Sequence, residues 1–166
     1  MNERYEFYLR GKKELAEPYH YKGSGLPNVY LHSGVRVTDD PDYGRLVKIE
    51  RLPDLFFAIA FKLVLKEGKL TGDEFRFLRK RMEMTQSELA RDFGVSDQTV
   101  ANYEKGNTGN LGPADPAIRM CYLAHLADDE DLADDLRFAA EELMKPSKRK
   151  NPDDLADVVH WTPGDC

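Results

Sequence analysis

Apolar residues change their spacing twice along this chain, and each change marks a different kind of element. Between residues 19 and 49 they come in short β-prone pieces, YHY, GLPNVYL, GVRV and GRLVKI, divided by Gly, Pro, Asn and Asp. Such pieces predict brief strands joined by turns. Val29-Tyr30-Leu31 and Val35-Arg36-Val37 flank His32-Ser33-Gly34, which reads as a three-residue hairpin loop with Gly34 left-handed. Residues 38–44, TDDPDYG, read as a second turn, and residues 45–49 as a third strand. The expected product is a small antiparallel sheet, which needs a packing partner to be stable. Residues 1–18 are charged and show no period; they predict a short helix or an arm and nothing more.

The next stretch, LPDLFFAIAFKLVLKEG, reads as a helix with Pro53 in its first turn, Asp54 near its positive end and Gly68 as its stop. Between residues 55 and 65 only Lys62 is polar. A helix apolar on most of its circumference is buried. Its length there is about 16 Å at 1.5 Å per residue, far below the ~30 Å of a bilayer core, so it does not span a membrane. The sheet covers one side in this reading. The other side meets either the following helices or a second subunit, so sheet and helix together are expected to help form a dimer.

From residue 70 the spacing becomes helical. Residues 71–83 place Phe75, Leu78 and Met82 on an inner stripe flanked by Phe77. Residues 86–93 and 97–104 read as two short helices joined by a tight turn. Gly94 sits where a chain leaving a helix needs a left-handed residue. Ala90 is small enough to let the second helix cross closely. Leu89, Phe93, Val95, Val100 and Tyr103 fall inward. Gln98, Ala101, Asn102 and Lys105 share the remaining face, at i, i+3, i+4 and i+7. A helix face with amide and ammonium donors and no bulky apolar group can enter a major groove and read base edges.

Helix starts are marked in the same region. Thr71 with Glu74, and Thr85 with Glu88, form capping boxes, with Leu70–Phe75 and Met84–Leu89 as staples; Ser96 caps the next helix. Gly106 ends that helix, and residues 108–112 read as a surface turn. Pro113 or Pro116 opens a helix with Ile118, Cys121, Tyr122 and Leu126 on its core side. A fifth helix is expected over residues 131–144, apolar through Leu132, Leu136 and Leu143 and acidic on its other face. The tail holds the basic run Lys148-Arg149-Lys150, read as a solvated linker, and Trp161, which leaves disorder and docking both open.

Charge qualifies the picture. The chain of 166 residues has a net charge of −6, which is unfavourable for a nucleic-acid binder. Residues 128–166, however, hold 12 acidic and 5 basic residues, so the first 127 stand near neutrality with 19 basic and 18 acidic. Steering by whole-molecule charge is therefore weak. Phosphate contacts must come from local cations: Arg76, Arg79, Lys80 and Arg81 before the turn, Arg91 within it and Lys105 after it. The two cysteines, Cys121 and Cys166, lie far apart and predict a reduced, intracellular setting. The opening MNERYEFYLRGKKE has no apolar run and does not read as a signal peptide. None of the histidines, His20, His32, His125 and His160, has metal-ligand spacing with a cysteine, and no phosphate-binding loop or nucleophile elbow is present. No cofactor and no catalysis are expected, and Tyr19-His20-Tyr21 reads as an aromatic strand.

The run LTGDEFRFLRKRMEMTQSELARDFGVSDQTVANYEKG resembles the helix-turn-helix domain of the Cro/CI (XRE) repressor family, over roughly residues 70–126. The resemblance implies a five-helix lambda-repressor-like DNA-binding domain, and with the small antiparallel β-sheet and the apolar helix read before it the chain is expected to be α+β, mainly α. Three parts are expected: residues 1–68 for dimerisation or partner binding, 69–145 for DNA, and 146–166 as a tail. By the family's pattern Gln86 clamps the DNA backbone. Ser96, Asp97, Gln98, Thr99 and Asn102 stand at groove-reading positions, and Lys105 at a backbone-contacting one. Asp97 departs from the commoner amide or basic residue. It either accepts from a cytosine amino group or caps the helix.

The implied function is sequence-specific double-stranded DNA binding, through the major groove, by a dimeric cytoplasmic transcriptional repressor. A looser resemblance, of a β-rich part before such a motif, is to MqsA-type antitoxins. Their zinc cysteines are missing from residues 1–70, so zinc does not carry over. The alternative function is accordingly an antitoxin that binds a toxin protein and autoregulates its operon.

Overall fold

Tyr5, Phe7 and Leu9 alternate with Glu6 and Tyr8, and the alternation makes a strand, β1 (Tyr5–Leu9), whose three apolar side chains are buried. The computed structural model describes residues 4–127 and 161–163. Its chain divides into two units, residues 1–59 with 151–166, and residues 60–150. In the first unit β1 runs parallel to β3 (Val29–Leu31), in the register Tyr5↔Val29 and Phe7↔Leu31. β2 (Tyr19–His20) adds antiparallel to β3, and β6 (Trp161–Pro163) adds antiparallel to the other edge of β1. The order is therefore β2-β3-β1-β6. Leu26, Val29 and Leu31 join Tyr5, Phe7 and Leu9 in the core.

Four expectations change here. The first eighteen residues contain a central strand, hidden by the charged residues around it. The sheet is mixed, because β1 and β3 are parallel. Residues 29–31 and 35–37 do not pair, because both edges of β3 are already occupied. Ser33 is the physical reason for the break. It is buried, and its hydroxyl accepts from the Leu9 amide at 2.7 Å and donates to the Leu9 carbonyl at 3.2 Å. Gly34, at φ 69°, then turns the chain away. The hairpin forms one step later, between β4 (Val35–Asp40) and β5 (Gly44–Ile49), with Val35↔Ile49 and Val37↔Val47 as partners. Its turn is shorter than expected. The Asp40 carboxylate accepts from the amides of Asp42 at 2.9 Å and Tyr43 at 3.0 Å, a local turn that lets β4 continue through Asp40.

The outer face of the four-stranded sheet is aromatic and ionic. His20 stacks on Tyr30 and His32 on Tyr8, with ring centroids 4.7 and 4.4 Å apart. Glu6 bridges Arg4 at 3.1 Å and His32 at 2.8 Å. Tyr19-His20 is a strand, as its composition predicts.

Helix α1 (Leu52–Leu65) follows, and the division between the units falls within it. Leu55, Ile59, Ala60, Leu63 and Val64 are fully buried, and Ala58, Phe61 and Leu65 nearly so, all within one chain. The helix ends three residues before Gly68, and an arginine closes it. Arg119, from α5 (Ala114–His125), donates to the carbonyls of Val64 at 3.1 Å, Lys66 at 2.5 Å and Gly68 at 2.7 Å. Those carbonyls include orphans that every helix C-terminus leaves. The Arg119 side chain is held by Asp115 at 2.6 Å, and Asp115 also accepts from the Leu70 amide at 2.6 Å. One buried ion pair on α5 thus fixes the connection that leaves α1.

The second unit is built from α2 (Gly72–Arg81), α3 (Gln86–Phe93), α4 (Asp97–Lys105) and α5. Thr71 and Thr85 form the predicted capping boxes, and Ser96 accepts from the Thr99 amide. α2 is shorter than expected at its end: Met82 caps it and Glu83, at φ 58°, turns the chain toward α3. Phe75, Leu78, Leu89, Val100 and Ile118 form the fully buried centre. Pro113 opens α5, and Leu123 is buried where Cys121 and Leu126 are only half-buried. Among the described residues, five helices and two small sheets make a mixed α+β chain. The expected helix over residues 131–144 and the basic run 148–150 lie outside the described residues.

Candidate nucleic-acid interface

The turn between α3 and α4 is set by local chemistry. Gly94 takes φ 65° and ψ 32°, and the Val95 amide donates back to the Ala90 carbonyl at 2.9 Å, closing α3 in a left-handed cap. Ala90 is buried between the helices. Phe75 of α2 meets Tyr103 and Phe93 edge-on, with centroids 5.7 and 6.4 Å apart, so both helices of the turn rest on one ring. Across the turn the Ser87 hydroxyl donates to the Asp97 carboxylate at 2.5 Å, tying the first turn of α3 to the first turn of α4.

A buried charge network orients α4 from behind. The Arg79 guanidinium donates to Glu104 through Nε at 2.5 Å and Nη2 at 3.1 Å, and to the Met84 carbonyl through Nη1 at 2.6 Å. Gln86 donates its amide to the same Glu104 carboxylate at 2.8 Å. Side chains of α2, α3 and α4 therefore converge on one carboxylate, and a forked guanidinium fixes their relative angle. This corrects the place given to Arg79 among the phosphate-facing cations: it is buried and paired. The signal was present, because Arg79 lies four residues after Phe75, on the inner stripe of α2. Glu104, which sequence reasoning missed, is likewise four residues after the buried Val100. Gly72 gives a third constraint. A Cβ there would stand 2.6 Å from the carbonyl oxygens of Tyr103 and Glu104, so α2 begins against the end of α4 only because the residue is glycine.

Of the predicted site residues, Ser96, Asp97, Gln98 and Lys105 are exposed, while Gln86, Thr99 and Asn102 are half-buried. Gln98, Asn102 and Lys105 share the outward stripe of α4. The Gln98 amide donates to the Asn102 side-chain carbonyl at 3.1 Å, which aligns the two amides and leaves the Asn102 amide hydrogens directed elsewhere. Ser96 and Thr99 are occupied with each other, their hydroxyls 2.9 Å apart. Asp97 and Gln86 are committed through Ser87 and Glu104 as described. The site residues on α4 are thus brought together, and Gln86 stands beside them through Glu104.

Residues 75–114 match a family model described as Helix-turn-helix. The segment is a helix-turn-helix domain of the Cro/CI type. Domains of this type bind DNA. A candidate HTH-type transcriptional regulatory protein of Natronomonas pharaonis is 26% identical to the chain over 131 residues, which is 79% of this chain and 40% of that relative. The chain thus spans less than half the length of the relative it matches. No solved structure matches it.

Around the helix-turn-helix helices, exposed cations remain at Lys80 and Arg91 in addition to Lys105, while Arg76 pairs with Asp73 at 2.6 Å. The loop after α4 is exposed through Asn110 and pinned by the buried Leu111. Cys121 is a free thiol, and burial together with the nearby Asp92 carboxylate pushes its pKa above the ordinary value. No helix among the described residues is long and apolar enough to cross a membrane.

Proposed function

We propose that the chain is a sequence-specific, double-stranded DNA-binding regulator that works as a dimer in the cytoplasm and represses transcription. The observation that carries this reading is the aligned pair Gln98–Asn102, outward on a helix braced by the Arg79–Glu104–Gln86 network. Residues 69–145 form the DNA-binding part, in a lambda-repressor-like arrangement; residues 1–68 serve dimerisation, and 146–166 form the tail. In the groove, Gln98 and Asn102 read adenine by bidentate amide bonds. Gln86, Thr99 and Lys105 set the register on phosphates. Ser96 shapes the start of α4. Asp97, oriented by Ser87, presents a carboxylate that suits a cytosine amino group.

Selection of bound DNA from a random pool, with the full chain, tests this reading. A recovered two-fold site is expected. Gln98→Ala should relax the preference at one base position and cost ~1–3 kcal/mol there. Equal loss at every position would remove Gln98 from its assigned role, and recovery of no preferred sequence would remove the reading itself.

A further inference from the structure

The β4–β5 hairpin carries more exposed apolar surface than a two-stranded ribbon should. Val37 is 46% exposed, Leu46 45%, Val47 38% and Tyr43 80%. Isolated two-stranded hairpins are marginal in water. Register and the alternation of side chains sort its positions into two faces. One holds Arg36, Lys48, Thr38 and Leu46, with Arg36 bonded to Glu50 at 2.6 Å. The other holds Val35 opposite Ile49, Val37 opposite Val47, then Asp39 opposite Arg45. That second face is a strip of four β-branched side chains ending in two opposite charges.

We propose that a second copy of this chain docks on the valine face. A two-fold axis running along the hairpin would stack β4 of one copy on β5 of the other. Val37 then lies over Val47 of the second copy, and Asp39 over its Arg45. Every contact is made twice, as an isologous interface requires. Among the described residues Asp39 and Arg45 hold no ion pair, and both are exposed, so both charges can enter this exchange. The charge pattern also decides against nucleic acid as the occupant: Asp39, Asp40 and Asp42 crowd the tip against a single Arg45, and would repel phosphates. Six residues per strand give a face about 20 Å long, so two such faces bury less than the ~1,200 Å² of a standard stable interface. The dimer is therefore weak by itself, and binding to paired half-sites strengthens it.

This inference rests on the dimeric reading above. Sedimentation of the full chain up to about 100 μM, in low and high salt, tests it. The wild type should self-associate, and Val37→Asp should weaken association at least ten-fold. Asp39→Arg and Arg45→Asp should each be monomeric alone, because each places like charges across the axis. Mixed, the two variants should form a heterodimer, since each introduced charge then meets its opposite. Hairpin damage alone would not produce that rescue. A dimer untouched by all three substitutions, or a mixture that stays monomeric, overturns the assignment while leaving dimeric DNA binding intact. A wild type monomeric throughout, its hairpin protected only when another protein is added, also overturns it. Binding of a single half-site should be unchanged in every variant, which keeps failure of this interface distinct from failure of DNA recognition.

Discussion

Removing one charge from the Arg79–Glu104 pair should unravel the support of the recognition helix. Arg79→Met keeps the apolar stem but leaves a carboxylate whose side chain is only 4% exposed. Its one remaining donor among these three residues is the Gln86 amide at 2.8 Å. Two charge-assisted hydrogen bonds are lost, and the Met84 carbonyl loses its donor at 2.6 Å. Stranding a buried charge in this way costs about 3–5 kcal/mol. For a unit of about 90 residues, with an unfolding entropy near 2.1 cal/mol/K per residue, that lowers Tm by about 15–25 °C. Glu104→Leu, which strands the guanidinium, should cost a similar amount. The double variant removes both charges and should lie within about 2 kcal/mol of wild type, giving a coupling energy of at least ~4 kcal/mol in magnitude. Urea titration of the full-length proteins, followed by far-ultraviolet circular dichroism, measures all four corners. Single substitutions costing under ~1 kcal/mol, or costs that simply add, would show that water screens the pair and that it does not join α2 to α4.

Gly72→Ala, at an otherwise ordinary helical position, should destabilise the chain by about 1–3 kcal/mol, because its methyl would overlap the Tyr103 and Glu104 carbonyls; the same titration reads it. Lys105→Ala should weaken DNA binding evenly across sequences and reduce the salt slope by about one, read from binding isotherms at several salt concentrations. Burial pushes the Tyr122 phenol up to about 12, against 10.0 for the free group. Its neutral form is the one the fold favours. That stabilisation is fully present below pH 10.0 and is lost as pH rises toward 12, which ultraviolet titration of the phenolate checks. The Glu88 carboxyl titrates below its ordinary 4.5, held down by the Thr85 amide and then the Thr85 hydroxyl. Its contribution is present above pH 4.5 and disappears as acid protonates it, so Thr85→Ala should flatten the acid limb of the stability curve.

Local rules determined much of this protein from the sequence alone. Thr71, Thr85, Ser96 and Gly94 specify helix ends through bonds reaching only three to five residues, so capping boxes and the left-handed turn were legible without any fold. The outward stripe of Gln98, Asn102 and Lys105 was legible for the same reason, being a matter of helical period. Tertiary structure decided what depended on partners distant in the chain. Strand β1 was masked because its apolar residues are few and its pairing partner lies some twenty residues away. Pairing of residues 35–40 with 44–49 was settled by Ser33 closing on Leu9. Arg79 and Arg119 are charged residues that sequence composition assigns to water. Glu104 holds Arg79 across α2 and α4, and Arg119, paired with Asp115 on its own helix, reaches the carbonyls of Val64, Lys66 and Gly68; those long-range bonds need a proximity that only the folded chain creates. Short-range hydrogen bonds and helical period are written residue by residue, whereas burial of a charge depends on a partner that packing must first bring within reach.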